Sequence, residues 1–256
     1  VRRILKLMVP ALFGVSVSQI NLLVDTVLAS FFPSGSVSWL YYSDRITELP
    51  LGIFGIAIAT VILPNLSAHR AAERHGHFSA TLDWAMRCVL LIGLPSMLGL
   101  IMLAEPILIT LFRHGAMTSN DVYMSALSLR ALSTGLLAFM LIKVWAPGFY
   151  ANMDTATPVK IGIIAMVANM GMNFAISLPM MYFFNVGHVG LALATSIAAI
   201  LNASLLLRGL LRNSYYQFAP GCGKFLLRLL LAAACMVVAL YWLGADTQEW
   251  LAWHCQ

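Results

Sequence analysis

Apolar runs of about 20 residues recur along this chain, and they restrict it to one kind of architecture. The hydrocarbon core of a bilayer is roughly 30 Å thick, and a helix of about 20 residues crosses it. Charged residues make up only 10% of the chain, too few for the polar shell of a soluble protein of this size. The sequence therefore predicts an all-α integral membrane protein with about seven spans. These predicted spans are 7–32, 38–64, 82–104, 121–146, 159–183, 187–208 and 224–244.

Lysine and arginine are distributed unevenly between the connections, and their placement predicts the topology. If residue 1 lies in the cytoplasm, twelve of the fifteen basic residues fall at or near cytoplasmic ends of spans. Arg113 then falls in an outer loop, and Arg45 and Arg130 fall within spans. We therefore expect a cytoplasmic N-terminus. The twelve are Arg2, Arg3, Lys6, Arg70, Arg74, Arg87, Lys143, Lys160, Arg208, Arg212, Lys224 and Arg228.

Aromatic residues agree with this topology, because tyrosine and tryptophan favour the membrane interface. The net charge of +5 does not indicate nucleic-acid binding, since the basic residues are scattered instead of forming a stripe. The four cysteines lack metal-ligand spacing and are expected to be apolar filler. The predicted outer boundaries are marked by Trp39, Tyr41 and Tyr42 at the start of the second span and by Trp242, Trp250 and Trp253 at the outer end of the seventh.

The second span contains a charged cluster, Asp44, Arg45 and Glu48, about one to two turns inside its outer boundary. At about 100° per residue, the three side chains share one face of the helix. Burying an arginine in a bilayer costs at least a few kcal/mol, so such residues usually face a partner or a wet cavity. One interpretation is a structural pair between Arg45 and Glu48. The other is a cavity in which the Arg45 guanidinium binds an anionic group, with phosphate as the best match.

Pro50, Gly52 and Gly55 follow this cluster directly. A proline removes one helical hydrogen bond, here the one that the Ile46 carbonyl would accept, and so weakens the helix. The three residues are therefore candidate hinge positions, although a static kink is an equally common outcome in membrane helices.

A second polar set lies in three other spans. Asp25 is in the first span, Asn169 and Asn173 stand four apart in the fifth, and Thr195 is in the sixth. A carboxylate in a bilayer must be protonated, paired or bound to a cation. Oxygen ligands on converging helices could hold a hard cation such as Na⁺. Alternatively, the amides and the hydroxyl are interhelical hydrogen-bonding groups, and Asp25 is protonated or hydrated.

Three stretches resemble the lipid II flippase family, called MurJ or MviN, within the superfamily of multidrug and polysaccharide exporters. They are SDRITELPLGIFGIAIATVILPNLS, LFRHGAMTSNDV and KVWAPGFYANMDTATPVKI, and the resemblance extends over nearly the whole chain. It implies fourteen helices, in two six-helix lobes and a final pair. Family members are transporters, not enzymes. They flip the undecaprenyl-diphosphate-linked peptidoglycan precursor, lipid II, across the bacterial inner membrane by alternating access, for cell-wall biogenesis and cell shape.

Matched to that pattern, residues 1–212 resemble the second lobe, helices 7–12, and residues 213–256 a linker and helix 13. The resemblance places Arg45 on a cavity arginine that engages the diphosphate, with Asp44 and Glu48 beside it. Asp25, Asn169, Asn173 and Thr195 fall where a coupling cation, Na⁺ or H⁺, would bind; no other cofactor is implied. The first lobe and the last helix would be missing, so the chain alone is expected not to flip lipid. Its expected partners are lipid II, membrane lipids and the missing lobe.

Other functions remain open from the residues alone. An exporter of another lipid-linked saccharide, or a cation-coupled drug antiporter, would use the same kind of cavity. A membrane enzyme acting on lipid diphosphates would also place arginine near phosphate, but it would need a general base or nucleophile, typically with a metal site, at the membrane surface. A purely structural subunit would tolerate the loss of Arg45.

Overall fold

The computed structural model describes residues 19–72, 75–113, 117–218 and 221–243, and these ranges form a bundle of helices without strands. The first described helix is α1, of which residues 19–30 are described. The others are α2 (Ser36–Pro50), α3 (Ala57–Ala71), α4 (His75–Met102), α5 (Ala104–Phe112), α6 (Ser119–Tyr150), α7 (Ala156–Met172), α8 (Leu178–Phe184), α9 (Gly187–Arg212) and α10 (Cys222–Leu243). One π-helical turn, Leu51–Ile56, joins α2 to α3, and a second, Asn173–Ser177, joins α7 to α8.

Within the described ranges, six helices are long and apolar enough to cross a membrane, in agreement with six of the predicted spans. They are Ser36–Arg70, Gly76–Met102, Ser119–Tyr150, Ala156–Phe184, Gly187–Arg212 and Cys222–Trp242. The first predicted span lies mostly outside the described residues, and its described part, 19–30, is helical. The predictions made for Arg2, Arg3, Lys6, Arg74, Trp250 and Trp253 also fall outside them.

The core lies where α6 packs against α9, the two most buried spans. Glycine permits the close approach at two points. A β-carbon added at Gly135 of α6 would lie 2.8 Å from the Ser196 Cα of α9. One added at Gly190 of α9 would lie 2.6 Å from the Ser177 Cα in the second π-helical turn. Backbone atoms cannot move aside as a flexible side chain can, so these positions fix how deeply α9 seats in the bundle.

Gly190→Ala is therefore expected to destabilise the chain by about 1–3 kcal/mol through overpacking, despite the higher helix propensity of alanine. Gly171→Ala is the matched control, because a β-carbon there would meet no other atom within 4 Å. Thermal unfolding in detergent should show a lowered midpoint for the first variant and an unchanged or raised midpoint for the second. Equal midpoints would contradict the close packing.

One helix was not expected from the sequence, which left residues 105–120 as a connection. Ala104–Phe112 forms the short helix α5, and its Leu108 and Ile109 are buried against the bundle. Glu105 favours the positive end of this helix, and Pro106 is tolerated in the first turn, where backbone N–H groups need no helical partner. The connection after α4 is therefore partly a packed element.

The start of α6 is a capping box, and it corrects the role expected for a tryptophan. The Thr118 hydroxyl accepts from the Asp121 N–H at 3.2 Å, and the Asp121 carboxylate accepts from the Thr118 N–H at 2.9 Å. Trp39, expected at the lipid interface, is buried and donates from Nε1 to Asp121 Oδ1 at 2.9 Å. Its ring also lies 4.9 Å from that of His188. Trp39 thus joins the starts of α2, α6 and α9 at one end of the bundle, here called the Ser36 end.

The linker before α10 is fixed at the opposite end, here called the Tyr150 end. The Tyr216 hydroxyl donates to Asp83 Oδ1 of α4 at 2.9 Å, and Arg87 Nε lies 2.6 Å from Asp83 Oδ2. Burial, together with this hydrogen bond, raises the pKa of Tyr216 above its ordinary range. The phenol therefore keeps its proton, and its hydrogen bond to Asp83, further into the alkaline range than an exposed tyrosine would.

Candidate functional site

The charged cluster predicted in the second span is assembled on α2. Arg45 Nη1 lies 2.7 Å from Glu48 Oε2, one turn along the helix. The guanidinium carbon also lies 4.9 Å from the ring centre of Tyr41, within cation–π range. Asp44 is partly buried beside them and interacts electrostatically with both Arg45 and Glu48. The three predicted side chains therefore act as one charged group.

The Arg45 side chain is paired but not enclosed. About half of its surface and half of that of Glu48 remain open, 52% in each case. An exposed pair of this kind contributes between zero and about 1 kcal/mol, so it is a weak structural lock. Among the described residues, no second carboxylate forms an ion pair with Arg45. The guanidinium can therefore exchange Glu48 for another anionic partner at little cost.

The candidate hinge coincides with a departure from α-helical geometry. The π-helical turn Leu51–Ile56 begins directly after Pro50, whose ring removes a backbone donor from the helix. Gly52 and Gly55 both lie in this turn. The predicted weak point is therefore present as a local change in winding, and π-helical turns of this kind are frequent at functional sites. Movement at this point stays a prediction.

The second predicted set is brought together by three helices. Asn173 Nδ2 donates to Asp25 Oδ1 at 2.6 Å, and the Thr195 hydroxyl donates to Asp25 Oδ2 at 3.3 Å. Asn169 Nδ2 in turn donates to Thr195 Oγ1 at 3.2 Å. Partners separated by 148 and 170 positions in sequence thus converge on one carboxylate. We call these four residues, Asp25, Asn169, Asn173 and Thr195, the Asp25 cluster.

The Asp25 cluster contains acceptor atoms that nothing in the described chain satisfies. The side-chain oxygens of Asn169 and Asn173 are buried without a hydrogen-bond partner, and these residues are 2% and 1% exposed. Buried amide oxygens normally have a donor or bind an ion. Two carboxylate oxygens, two amide oxygens and a hydroxyl oxygen match the ligands that hard cations prefer. The composition of the cluster therefore fits a cation.

Two features of this region were missed by the sequence argument. Asn21, one turn before Asp25, donates from Nδ2 to Asp25 Oδ2 at 3.4 Å. The second π-helical turn begins at Asn173 itself. The signals were the spacing of four between Asn21 and Asp25 and the presence of Pro179, which frees the Ala175 carbonyl four residues earlier. Both polar groups in the spans thus lie beside a π-helical turn.

The structure keeps the two sites separate and adds a further ion pair. Within the described ranges, no hydrogen bond or ion pair joins the Asp44–Glu48 group to the Asp25 cluster. Arg130 of α6, expected within a span, pairs with Glu105 of α5 at 2.9 Å and donates to the Ile101 carbonyl at 3.3 Å. The charge of Arg130 is thus paired by a residue of a neighbouring helix.

Comparisons with known proteins agree in a single family. The model of the family described as lipid II flippase MurJ matches residues 1–254. The probable lipid II flippase MurJ of Haemophilus influenzae is 52% identical over 256 residues, which cover 98% of this chain and 49% of the relative. The lipid II flippase MurJ of Burkholderia cenocepacia is 39% identical, over 100% of this chain and 48% of the relative. The chain spans about half the length of the curated relatives it matches.

One solved structure agrees with this family, and another shares the fold. A lipid II flippase MurJ in an inward closed conformation matches with a TM-score of 0.81 at 30% identity, over 98% of this chain and 51% of that one. A MATE protein in a bent conformation matches with a TM-score of 0.65 at 18% identity, over 93% of this chain and 52% of the other. The second likeness shows a shared fold alone.

Proposed function

The chain belongs to the lipid II flippase MurJ family, and from this premise we propose that it supplies a diphosphate-binding lobe of a lipid II transporter. Its relatives are named for flipping lipid II. The proposal assigns residues 1–212 to a six-helix lobe and 213–256 to a linker and one additional span. It also assigns the protein to the bacterial inner membrane, with a cytoplasmic N-terminus, and to a transport activity without catalysis.

The observation that supports a diphosphate ligand is the open guanidinium of Arg45. Its ion pair with Glu48 is half exposed, so the Glu48 carboxylate positions the guanidinium but leaves part of it accessible to a ligand. A diphosphate presents several oxygens at the spacing of a guanidinium fork and binds it through two parallel charge-assisted hydrogen bonds. Glu48 and Asp44 then compete with the diphosphate for the Arg45 guanidinium. This competition favours release of the lipid once the cavity opens to the other side.

The hinge residues connect this binding group to movement. Pro50, Gly52 and Gly55 lie within one to two turns of Glu48, in and beside the first π-helical turn. A helix bends with less strain at such a turn than in a regular α-helical stretch. A bend there would change the direction of Arg45 relative to the rest of the lobe, as alternating access requires.

The Asp25 cluster is the proposed site of the coupling cation, with Na⁺ and H⁺ as the candidates. Asn173 now donates its NH₂ group to Asp25 and leaves its own oxygen without a partner. Rotating the Asn173 amide by 180° would exchange its nitrogen and oxygen and direct the oxygen at the Asp25 carboxylate. The cluster could therefore be satisfied both by internal donors and by a bound cation, which a reversible site needs. Because the cluster joins α1, α7 and α9, its occupancy would affect how these helices pack.

Binding of diphosphate lipid is the direct test of the proposal. The purified chain in lipid nanodiscs should bind lipid II and undecaprenyl diphosphate, and it should bind undecaprenol, the same lipid without the diphosphate, at least tenfold more weakly. Competition against a fluorescent lipid II analogue measures both affinities. Equal affinity for the two undecaprenyl lipids would overturn the assignment of a diphosphate site.

Transport itself requires a second lobe under this proposal. In vesicles, the chain alone is expected to leave a fluorescent lipid II analogue in its original leaflet, whereas a two-lobe polypeptide containing this chain moves it. Protection of the fluorophore from an external quencher reports the movement. Flipping by residues 1–256 alone would contradict the half-transporter assignment.

A further inference from the structure

A large, half-open cavity runs along the described helices, away from the charged group of α2. Its volume is about 820 Å³, and its walls come from α1, α6, α7 and α9, with the first π-helical turn and α3 at one side. One end is bounded by Tyr150 and Pro158, at the Tyr150 end of α6 and α7. The other end reaches Asn169 and Thr195, both members of the Asp25 cluster. Eleven residues of α7 separate Pro158 from Asn169, a rise of about 16 Å.

Small residues line part of the cavity. Gly162 and Ala165 of α7 and Ala198 and Ala199 of α9 are among them. A β-carbon added at Gly162 would meet no other atom within 4 Å, so this part of the cavity is open space. At Gly135 and Gly190, by contrast, glycine brings neighbouring elements into close contact.

Polar groups beside the cavity lack partners. The amide oxygens of Asn21, Asn169 and Asn202 are buried without a hydrogen-bond partner, and all three residues line the cavity. Buried acceptors are normally satisfied by a protein donor or by ordered water, and the cavity beside these residues is large enough for water. Amide oxygens can also replace the water ligands of a partly dehydrated cation.

Among the described residues that line the cavity, Lys143 alone is charged. It lies on α6 beside the first π-helical turn, where a β-carbon added at Gly55 would be 3.9 Å from its Cγ. Within the described residues, no salt bridge or hydrogen bond is found for its ammonium group. An ammonium in this wall repels cations and attracts anions inside the cavity.

We propose that this cavity is the aqueous path between the Tyr150 end and the Asp25 cluster for a small monovalent cation, and that Lys143 limits how often a cation occupies it. The inference rests on the proposed cation site for the identity of the ion. The existence of the path and the effect of Lys143 on its electrostatics can be measured without any cation bound to Asp25. The ammonium would keep the path from holding ions permanently, so that the site can empty toward that end.

The first experiment measures water access with a single introduced thiol. The four native cysteines are replaced by serine, and Gly162→Cys is compared with Ile164→Cys in nanodiscs. Ile164 is two residues away on the same helix at nearly the same depth, but it is 53% exposed on the outer surface of the bundle and does not line the cavity. A water-soluble cationic methanethiosulfonate should modify the Gly162→Cys thiol at least tenfold faster. Equal rates would overturn the path.

The second experiment measures the charge of the path. The rate ratio of a cationic to an anionic methanethiosulfonate at the Gly162→Cys thiol should rise roughly fivefold on Lys143→Gln, as expected for removing one charge from the wall of the same cavity. Lys160→Gln is the matched control, because Lys160 lies on α7 near the same end but outside the cavity lining. An unchanged ratio, or an equal rise with Lys160→Gln, would overturn the role of Lys143.

Sodium binding separates this inference from the function on which it rests. Lys143→Gln should raise the Na⁺ affinity of the purified chain severalfold, and Asp25→Asn should abolish Na⁺ binding. If the chain binds Na⁺ but both introduced thiols react at equal rates, the path is contradicted and the cation site is supported. If the two thiols react at different rates but the chain responds to no monovalent cation or proton, the cation site is contradicted. The cavity is then open to water but does not serve as a cation path.

Discussion

Replacing Arg45 with lysine is expected to abolish lipid II export by a two-lobe transporter that contains this chain, although the positive charge is kept. A lysine ammonium is a point charge and cannot form the two parallel hydrogen bonds of a guanidinium fork. Losing one charge-assisted hydrogen bond costs about 1.5–3 kcal/mol, which lowers diphosphate affinity roughly tenfold to hundredfold. Growth of cells depleted of their own lipid II flippase measures the effect. Lipid competition in nanodiscs gives the affinity.

The controls for this substitution separate binding from folding. The Arg45–Glu48 pair is half exposed, so Arg45→Lys should change the free energy of unfolding by less than about 1 kcal/mol. Arg208→Lys is the matched variant, because Arg208 is an exposed arginine on α9 that lines neither site, and it should support normal growth. Normal growth with Arg45→Lys would remove the geometric part of the proposal and leave at most a requirement for charge. Normal growth with Arg45→Ala would contradict any binding role of Arg45 and would favour a purely structural role for the chain.

The spans and the charged group of α2 could be predicted because they depend on local properties. Hydropathy over about 20 residues fixes where a chain crosses a bilayer, and the i,i+3 spacing of Arg45 and Glu48 makes them neighbours on any helix. The cap of α6 was predictable for the same reason, since Thr118 and Asp121 are three residues apart. In each case the partners lie within one turn, and tertiary packing does not need to be known.

The features that the sequence argument missed depend on which helices meet. Trp39 has the composition of an interfacial residue, but its partner Asp121 is 82 positions away. Glu105 could be assigned to a loop as long as its partner Arg130 was unknown. The Asp25 cluster was anticipated as a set of residue types, whereas its hydrogen bonds and its unpartnered amide oxygens emerge only when α1, α7 and α9 converge. The cavity beside it has no local signal, because glycine and alanine are common in all membrane helices.

Both polar sites of the spans lie next to a π-helical turn, and this arrangement has a physical reason. A π-helical turn leaves backbone carbonyls with poorer internal partners and locally changes the direction of side chains. Asn173 begins the second of these turns and donates to Asp25. The positions at which ligands would bind are therefore those at which the helices are easiest to rewind. Binding and movement would be coupled through the same residues.

Asp25→Asn is expected to remove the response of the chain to the coupling cation while preserving most of its stability. An asparagine has nearly the shape of a protonated aspartate and keeps one oxygen that can accept from Asn173. Asp25→Ala removes both acceptors and leaves the Asn173 NH₂ group buried without a partner, which should cost a further 1–3 kcal/mol or so. Asp25→Asn, being neutral, also mimics permanent protonation. A chain coupled to H⁺ would therefore lose its pH response instead of its Na⁺ response.

Thermal unfolding in NaCl and in choline chloride at equal ionic strength measures this loss. A ligand that binds only the folded chain stabilises it by about 2.7 kcal/mol at a hundred times its dissociation constant, so the unmodified chain should melt at a higher temperature in NaCl. Asp25→Asn should give the same midpoint in both salts. Asp154→Asn is the control, because Asp154 accepts from the Thr157 N–H at 3.0 Å outside the spans, and it should keep the full response. A sodium- or pH-dependent midpoint that survives Asp25→Asn would place the coupling cation elsewhere and leave the Asp25 cluster as a set of interhelical hydrogen bonds.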